Sequence, residues 1–151
     1  MDISGDFDIP VSRQKVWEAL NDPQVLAQCI PGCESIERES DTELRARMKA
    51  KIGPVKARFE SRILLSNLNP PQSYTISGEG KGGPVGFGKG SADVNLEESD
   101  GKTTLHYTAT LQVGGKLAQI GSRLVGSAAR KIADDFFSKF VEVVAQPVGS
   151  D

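Results

Sequence analysis

The chain has 151 residues, with 18 Lys and Arg against 20 Asp and Glu, for a net charge of −2. This length predicts one domain with a single sizeable core, and the charge argues against a general nucleic-acid-binding protein. Two cysteines and one histidine are too few for a structural zinc site or a disulfide scaffold. Because no apolar run approaches the roughly 18 residues of a membrane span and the acidic, polar N-terminus is not typical of a signal peptide, we expect a cytoplasmic protein.

The first part of the chain predicts a strand followed by two short helices. Residues 3–9 alternate between apolar and polar side chains, as a half-buried strand does. Ser12 is placed to cap a first helix. Asp22 followed by Pro23 is a typical start for a second helix, which Pro31 and Gly32 would end.

The middle of the chain has the alternation of antiparallel strands. Residues 44–52 and 55–65 alternate on either side of Gly53-Pro54, which predicts a two-residue hairpin with Met48 opposite Phe59. Apolar residues at every second position predict three further strands, around residues 74–76, 92–96 and 105–113. Asp100-Gly101 is a strong signal for the turn before the last of them.

From Lys116 onward the apolar residues recur about every four positions, and no proline interrupts them before Pro147. This pattern predicts one helix of about 30 residues, about 45 Å long, which needs a large apolar surface to lie on. The whole order predicts an α+β fold: a curved antiparallel sheet wrapped around a long C-terminal helix, with two short helices after the first strand. We expect a single domain over residues 1–146 and a short disordered tail at 147–151.

Four segments carry a family resemblance: VWEALNDP at 16–23, CIPGC at 29–33, GEGKGGPVGFG at 78–88 and GSRL at 121–124. They resemble the CoxG family of carbon monoxide dehydrogenase subunits, within the START-related SRPBCC superfamily of helix-grip proteins. The resemblance implies a hydrophobic cavity between sheet and helix, and an accessory role to a molybdenum-containing CO dehydrogenase. It also implies a quinone or similar lipid as cargo, for electron transfer or membrane recruitment.

Seven glycines lie between Gly78 and Gly90. Gly78, Gly80 and Gly83 match the pattern G-x-G-x-x-G, but the segment that follows has the period of a strand and lacks the helix of a nucleotide site. Two interpretations stay open. The glycines leave room for a ligand on the inner face of a strand pair, or they form a bent, bulged corner of the sheet.

The alternation predicts which side chains point inward. It turns no strand carboxylate inward, so the sequence does not support an enzyme, which needs a positioned acid, base or nucleophile. Gly121 and Gly126 interrupt the long helix near its start, where the resemblance to the superfamily implies that the cavity opens. We expect a ligand entrance there, and packing of the helix against the sheet is the alternative. Tyr107 and Ser61 would serve a ligand's head group as hydrogen-bond partners. The predicted lining of the cavity is Met48, Phe59, Ser61, Ile76, Phe87, Tyr107, Leu117 and Leu124.

A basic hairpin is the second candidate site. We define the basic face as the outward residues that share one side of this hairpin: Arg45, Arg47, Lys49, Lys51, Lys56, Arg58 and Arg62. Within the hairpin only Glu60, opposite Arg47, offsets them. Because like charges facing each other destabilise a sheet, the pattern favours docking to an acidic partner protein or to the inner membrane. An ordinary solvated face, with the repulsion screened by salt, is the alternative.

The remaining reactive side chains predict no metal site and no resident cofactor. Cys29 and Cys33 are expected to be reduced thiols and His106 a solvated imidazole, because together they cannot complete a ligand set. The leading hypothesis is therefore a non-enzymatic accessory protein that binds a hydrophobic small molecule for a CO dehydrogenase-like enzyme. It would be cytoplasmic or peripheral at the cytoplasmic face of the membrane. A polyketide cyclase- or hydratase-type enzyme and a pure assembly factor without ligand remain alternatives.

Overall fold

The computed structural model describes residues 1–145, and the tail expected at 147–151 lies outside them. One antiparallel sheet has the strand order β1-β7-β6-β5-β4-β3-β2. Its strands are β1 (Asp2–Ile9), β2 (Cys33–Ser40), β3 (Glu43–Ile52), β4 (Val55–Asn69), β5 (Ser73–Lys81), β6 (Phe87–Ser99) and β7 (Lys102–Gly114). The helices are α1 (Arg13–Leu20), α2 (Pro23–Cys29), α3 (Lys116–Gln119) and α4 (Ser122–Val144), and a 3-10 turn spans Gly83–Val85. The predicted α+β architecture is confirmed.

The two short helices begin where their capping residues predict. The Ser12 hydroxyl accepts a hydrogen bond from the Lys15 amide at 3.3 Å, and an Asp22 carboxylate oxygen accepts one from the Gln24 amide at 2.9 Å. Each bond satisfies an amide that has no partner inside its helix. Pro23 occupies the first turn of α2, where its missing N–H costs nothing.

Both predicted hairpins form, and the first has the predicted register. Ile52 pairs with Val55, which leaves Gly53-Pro54 as the two-residue turn, and Met48 lies opposite Phe59. The second turn, at Asp100-Gly101, has a positive φ at both residues, 53° and 75°, as a type I′ turn requires. Local turn chemistry therefore fixes which side chains of β3, β4, β6 and β7 face inward.

Strand β2 is missing from the sequence-based prediction. It lies at the edge of the sheet, and Ile36 is its one half-buried aliphatic side chain. With polar residues on both faces, its sequence CESIERES shows no alternation.

The prediction of one unbroken helix from Lys116 is wrong. Gly121, with φ +94° and ψ 149°, separates α3 from α4, in a backbone region that is essentially restricted to glycine. Helix α4 has 23 residues, so it is about 35 Å long rather than 45 Å.

Aromatic side chains fill the space between the sheet and the C-terminal half of α4. The Phe137 ring stacks on Phe7 with centroids 4.3 Å apart and on Tyr107 at 5.8 Å. Phe140 is fully buried beside them. Gly5 makes room for this cluster, because a Cβ there would lie 2.8 Å from the Tyr107 ring. We refer to these residues, together with the buried side chains around them, as the aromatic core.

Candidate functional site

A cavity of about 360 Å³ lies between the glycine-rich half of the sheet and the N-terminal half of α4. Two glycine pairs, Gly78 with Gly90 and Gly80 with Gly88, stand opposite each other on β5 and β6 and line it. Because these four positions carry no side chain, the sheet has little to fill the gap beneath the helix. The strand glycines therefore leave room beneath α4, while Gly83 and Gly86, with φ of 61° and 117°, form the bent corner between β5 and β6, so each interpretation describes part of the segment.

The side chains around the cavity are largely apolar. The exposed Glu79 and Lys89 alternate to the outer face, which leaves Ser61 as the polar side chain that faces the cavity from residues 1–145. Its hydroxyl lies beside Gly80, where a Cβ would come within 3.0 Å of the Ser61 Oγ. The apolar lining is Met48, Ala50, Ile52, Phe59, Ile63, Leu111, Val113, Leu117, Val125, Ala128, Ala129 and Ile132.

The cavity reaches the surface between β3 and α4. Ile132 lines it and is 37% exposed, and Ala50 and Ile52 on β3 are half-buried. Leu124, which is 46% exposed, stands at the rim. It contacts the β3–β4 turn, since a Cβ at Gly53 would lie 3.6 Å from Leu124 Cδ1. The corner between α3 and α4 therefore closes one end of the cavity against the hairpin.

Four of the eight predicted cavity residues lie around this space: Met48, Phe59, Ser61 and Leu117. Ile76 and Tyr107 point inward as predicted, but they pack in or against the aromatic core and do not line the cavity. Tyr107 is covered by Phe7 and Phe137, and this burial raises the pKa of its phenol. Alternation therefore predicted that both side chains face inward. It did not show that they lie beneath the C-terminal half of α4, away from the cavity.

Phe87 and Leu124 do not line the cavity either. Phe87 precedes Gly88, and since Gly88 faces inward, Phe87 faces outward. Its ring covers Gly114, where a Cβ would lie 2.3 Å from Phe87 Cε1. Leu124, in the first turn of α4, lies on the exposed side of the cavity rim.

The basic face is largely neutralised. Five of its seven residues lie in ion pairs with carboxylates, two of which come from β2. Because β2 was not predicted, the sequence showed only Glu60 as an offset, and the structure adds Glu34, Glu39 and Glu43. The pairs are Arg45–Glu39 at 3.5 Å, Arg47–Glu60 at 3.4 Å, Lys49–Glu34 at 3.8 Å, Arg58–Glu34 at 2.7 Å and Arg62–Glu43 at 3.0 Å.

The hydrogen bond from Arg58 holds the pKa of the Glu34 carboxyl below its usual range, and Arg62 does the same for Glu43. Lys51 and Lys56, next to the turn, pair with no carboxylate of residues 1–145.

The remaining reactive side chains are apart from the cavity. Cys29 and Cys33 are free thiols, and burial raises the pKa of each. His106 points outward as predicted, but it is bound between Asp6 and Glu97 rather than freely solvated. Within the described residues no cluster of His, Cys, Asp or Glu could hold a metal ion. None of the helices formed by residues 1–145 is both long and apolar enough to cross a membrane.

A sheet that grips a long helix over a cavity defines the class of helix-grip proteins, and solved structures of this class are similar to the chain. A conserved protein from Geobacillus kaustophilus has a TM-score of 0.90 and 33% identity, over 96% of this chain and 95% of that one. The ZhuI aromatase/cyclase from Streptomyces sp. R1128 has a TM-score of 0.73 and 14% identity, over 99% and 96%. Ara h 8.0201 has a TM-score of 0.69 and 16% identity, over 95% and 97%.

The sequence itself matches the model of the carbon monoxide dehydrogenase CoxG family over residues 5–145. The chain belongs to this family. A comparison with curated protein sequences finds no significant match.

Proposed function

We propose that the chain is a non-enzymatic carrier that holds one hydrophobic small molecule and serves a CO dehydrogenase-like molybdenum enzyme in the cytoplasm. The observation that carries the proposal is the apolar cavity beneath the glycine pairs of β5 and β6. Glycine inside a strand costs stability, and a ligand that fills the space returns about 25 cal/mol for each Å² of apolar surface it buries. Membership of the CoxG family supports the choice of enzyme partner.

The cargo that we propose is a quinone or a similar lipid. A cavity of about 360 Å³ is near the lower end of the usual range for small-ligand pockets, roughly 300–1,000 Å³, and it suits a ring-sized head group. Ser61 would donate a hydrogen bond to a carbonyl of that head group. A longer isoprenoid tail would leave through the opening between β3 and α4, along Leu124 and Ile132.

The two alternatives find less support. A cyclase-type enzyme needs an activated group in the cavity, and a serine without a neighbouring base is a weak nucleophile. Among residues 1–145, Ser61 is the polar side chain that faces this space. A pure assembly factor would have no reason to leave the interior open.

If the cavity is the ligand site, filling it from the sheet side should abolish binding. In Gly88→Leu the new Cβ would lie 3.8 Å from Val113 Cγ1, an ordinary contact, so the side chain enters the cavity without a backbone clash. Ser91→Leu adds the same side chain to the exposed outer face of β6 and is the matched control. The measurement is the thermal unfolding midpoint during titration with a short-tailed naphthoquinone.

We expect the midpoint of the wild type and of Ser91→Leu to rise by about 5–10 °C at a hundredfold excess over Kd, and that of Gly88→Leu to stay constant. If the unfolding midpoint of Gly88→Leu rose as much as that of the wild type, the ligand would bind outside the cavity. No shift in any of the three proteins would remove the quinone from the proposal.

A further inference from the structure

We propose that one end of the molecule docks on an anionic lipid membrane. This end, the strand-tip end, consists of the β3–β4 hairpin tip, the β5–β6 loop and the corner around α3, which are residues 50–58, 80–90 and 112–127. It shares Lys51, Lys56 and Arg58 with the basic face and extends from them to the β5–β6 loop and the helix corner. The proposal does not depend on the identity of the cargo.

The three segments form one continuous surface. The β3–β4 turn touches the α3–α4 corner, since a Cβ at Gly53 would lie 3.8 Å from Ile120 Cδ1. The β5–β6 loop touches the start of α3, since a Cβ at Gly115 would lie 2.8 Å from Gly86 Cα. The antiparallel register brings all three to the same end of the sheet, next to the cavity.

Basic residues are concentrated at the strand-tip end, and its nearest carboxylates, Glu60 and Glu79, stand just outside it, opposite Lys81 and Lys89 in the sheet register. The strand-tip end carries seven of the chain's 18 Lys and Arg and none of its 20 Asp and Glu. Arg58 is paired with Glu34, but the other six form no ion pair with a carboxylate of residues 1–145. The opposite end has acidic residues at its turns, among them Asp41 and Asp100. A chain with a net charge of −2 therefore presents a cationic end that an anionic surface would attract and orient.

Apolar side chains lie exposed among these cations. Phe87 is 39% exposed and Leu124 is 46% exposed. Pro54 is exposed at the tip of the hairpin. Aromatic and aliphatic side chains surrounded by lysines suit the boundary between lipid headgroups and acyl chains, where burial of apolar area adds to electrostatic attraction.

The composition favours a membrane over an acidic protein. Five of the seven basic residues are lysines: Lys51, Lys56, Lys81, Lys89 and Lys116. Lysine is depleted from protein–protein interfaces, whereas lysine and arginine contribute alike at an anionic lipid surface, each by roughly fivefold in partitioning. The occupant that fits this end is therefore a bilayer that contains anionic phospholipid.

The test is sedimentation of the protein with vesicles of phosphatidylcholine, either pure or with about one-third phosphatidylglycerol. The variant Lys51→Gln/Lys56→Gln removes two charges from the strand-tip end. Its matched control, Arg45→Gln/Arg47→Gln, removes two charges from the ion-paired part of the same hairpin. Lys116→Gln/Arg123→Gln tests the same end from the helix side and covers the case in which the hairpin variant does not fold. Leu124→Ser tests the apolar contribution.

We expect the wild type to bind the anionic vesicles at low salt, with the binding weakened by salt and absent on pure phosphatidylcholine. Each strand-tip pair should weaken partitioning by about 25-fold, and Leu124→Ser should weaken it further, while the control should stay within about twofold of the wild type. If the wild type did not bind anionic vesicles, the proposal would be overturned. This is the result expected if the strand-tip end binds an acidic protein instead. Equal loss in the control pair would overturn it too. Because no quinone is present, these outcomes are independent of the cargo experiment.

Discussion

His106 lies between two carboxylates on the outer face of the sheet. Its Nδ1 lies 2.5 Å from Asp6 Oδ1 and its Nε2 lies 3.4 Å from Glu97 Oε2. The hydrogen bond to Asp6, with a second one to Glu97, raises the pKa of the imidazole above its ordinary value of 6.5. The folded chain therefore favours the protonated ring. Its contribution to stability is complete below pH 6.5 and is lost as the pH rises through the raised pKa.

We expect His106→Gln to remove this pH dependence. The wild type should lose part of its stability between pH 6.5 and the raised pKa, and the variant should not. The measurement is the thermal unfolding midpoint across that window, with Asp6→Asn as a second variant that lowers the pKa of the ring. If the unfolding midpoint depended on pH in the same way in the wild type and in His106→Gln, the ion pairs of His106 would contribute nothing measurable to stability. Many exposed ion pairs behave in this way.

Gly88 and Gly90 are alike in the sequence but differ in the space around them. A Cβ at Gly90 would lie 2.8 Å from the Thr110 backbone oxygen, whereas the nearest atom to one at Gly88 would be Val113 Cγ1 at 3.8 Å. We expect Gly90→Ala to lower the free energy of unfolding by about 1–3 kcal/mol and Gly88→Ala to raise it by up to about 1 kcal/mol. Urea denaturation measures both. Equal effects of the two substitutions would contradict the distinction between a close backbone contact and an open cavity.

At the scale of elements, the break between α3 and α4 depends on one glycine. Gly121 has φ +94° and Gly126 lies buried inside α4. We expect Gly121→Ala to destabilise the fold by about 1–3 kcal/mol because of backbone strain. Gly126→Ala should be neutral or stabilising by up to about 1 kcal/mol, since its Cβ would meet only flexible atoms, of which Met1 Sδ at 3.3 Å is nearest. Urea denaturation tests the pair, and stabilisation by Gly121→Ala would argue for the unbroken helix.

The elements with a local signal could be predicted from the sequence. Alternation and turn chemistry were enough for the β3–β4 hairpin, whose register was predicted correctly residue by residue. Strand β2 could not be found in this way, because it carries polar residues on both faces and Ile36 as its one half-buried aliphatic side chain. Because β2 was not predicted, Glu34 and Glu39 could not be placed beside the basic face. Their ion pairs with it were therefore not expected.

At the scale of the whole molecule, the cavity could be predicted only in part. Alternation identifies the inner face of each strand, so Met48, Phe59 and Ser61 were found, and the same pattern contained Ala50 and Ile52. The boundary between the aromatic core and the cavity depends on rings from elements far apart in the sequence, such as Phe7 from β1 and Phe137 from α4. No local pattern carries that information, so Tyr107 was assigned to the wrong half of the interior.

Occupation of the space beneath the glycine pairs by an apolar ligand is the basis of the proposed function, and native mass spectrometry of the purified chain would detect it. Organic extraction would then identify the molecule that is released. We expect one quinone or lipid for each chain, displaced in Gly88→Leu and retained in Ser91→Leu. A mass equal to that of the polypeptide alone, unchanged after incubation with quinones, would contradict a carrier function.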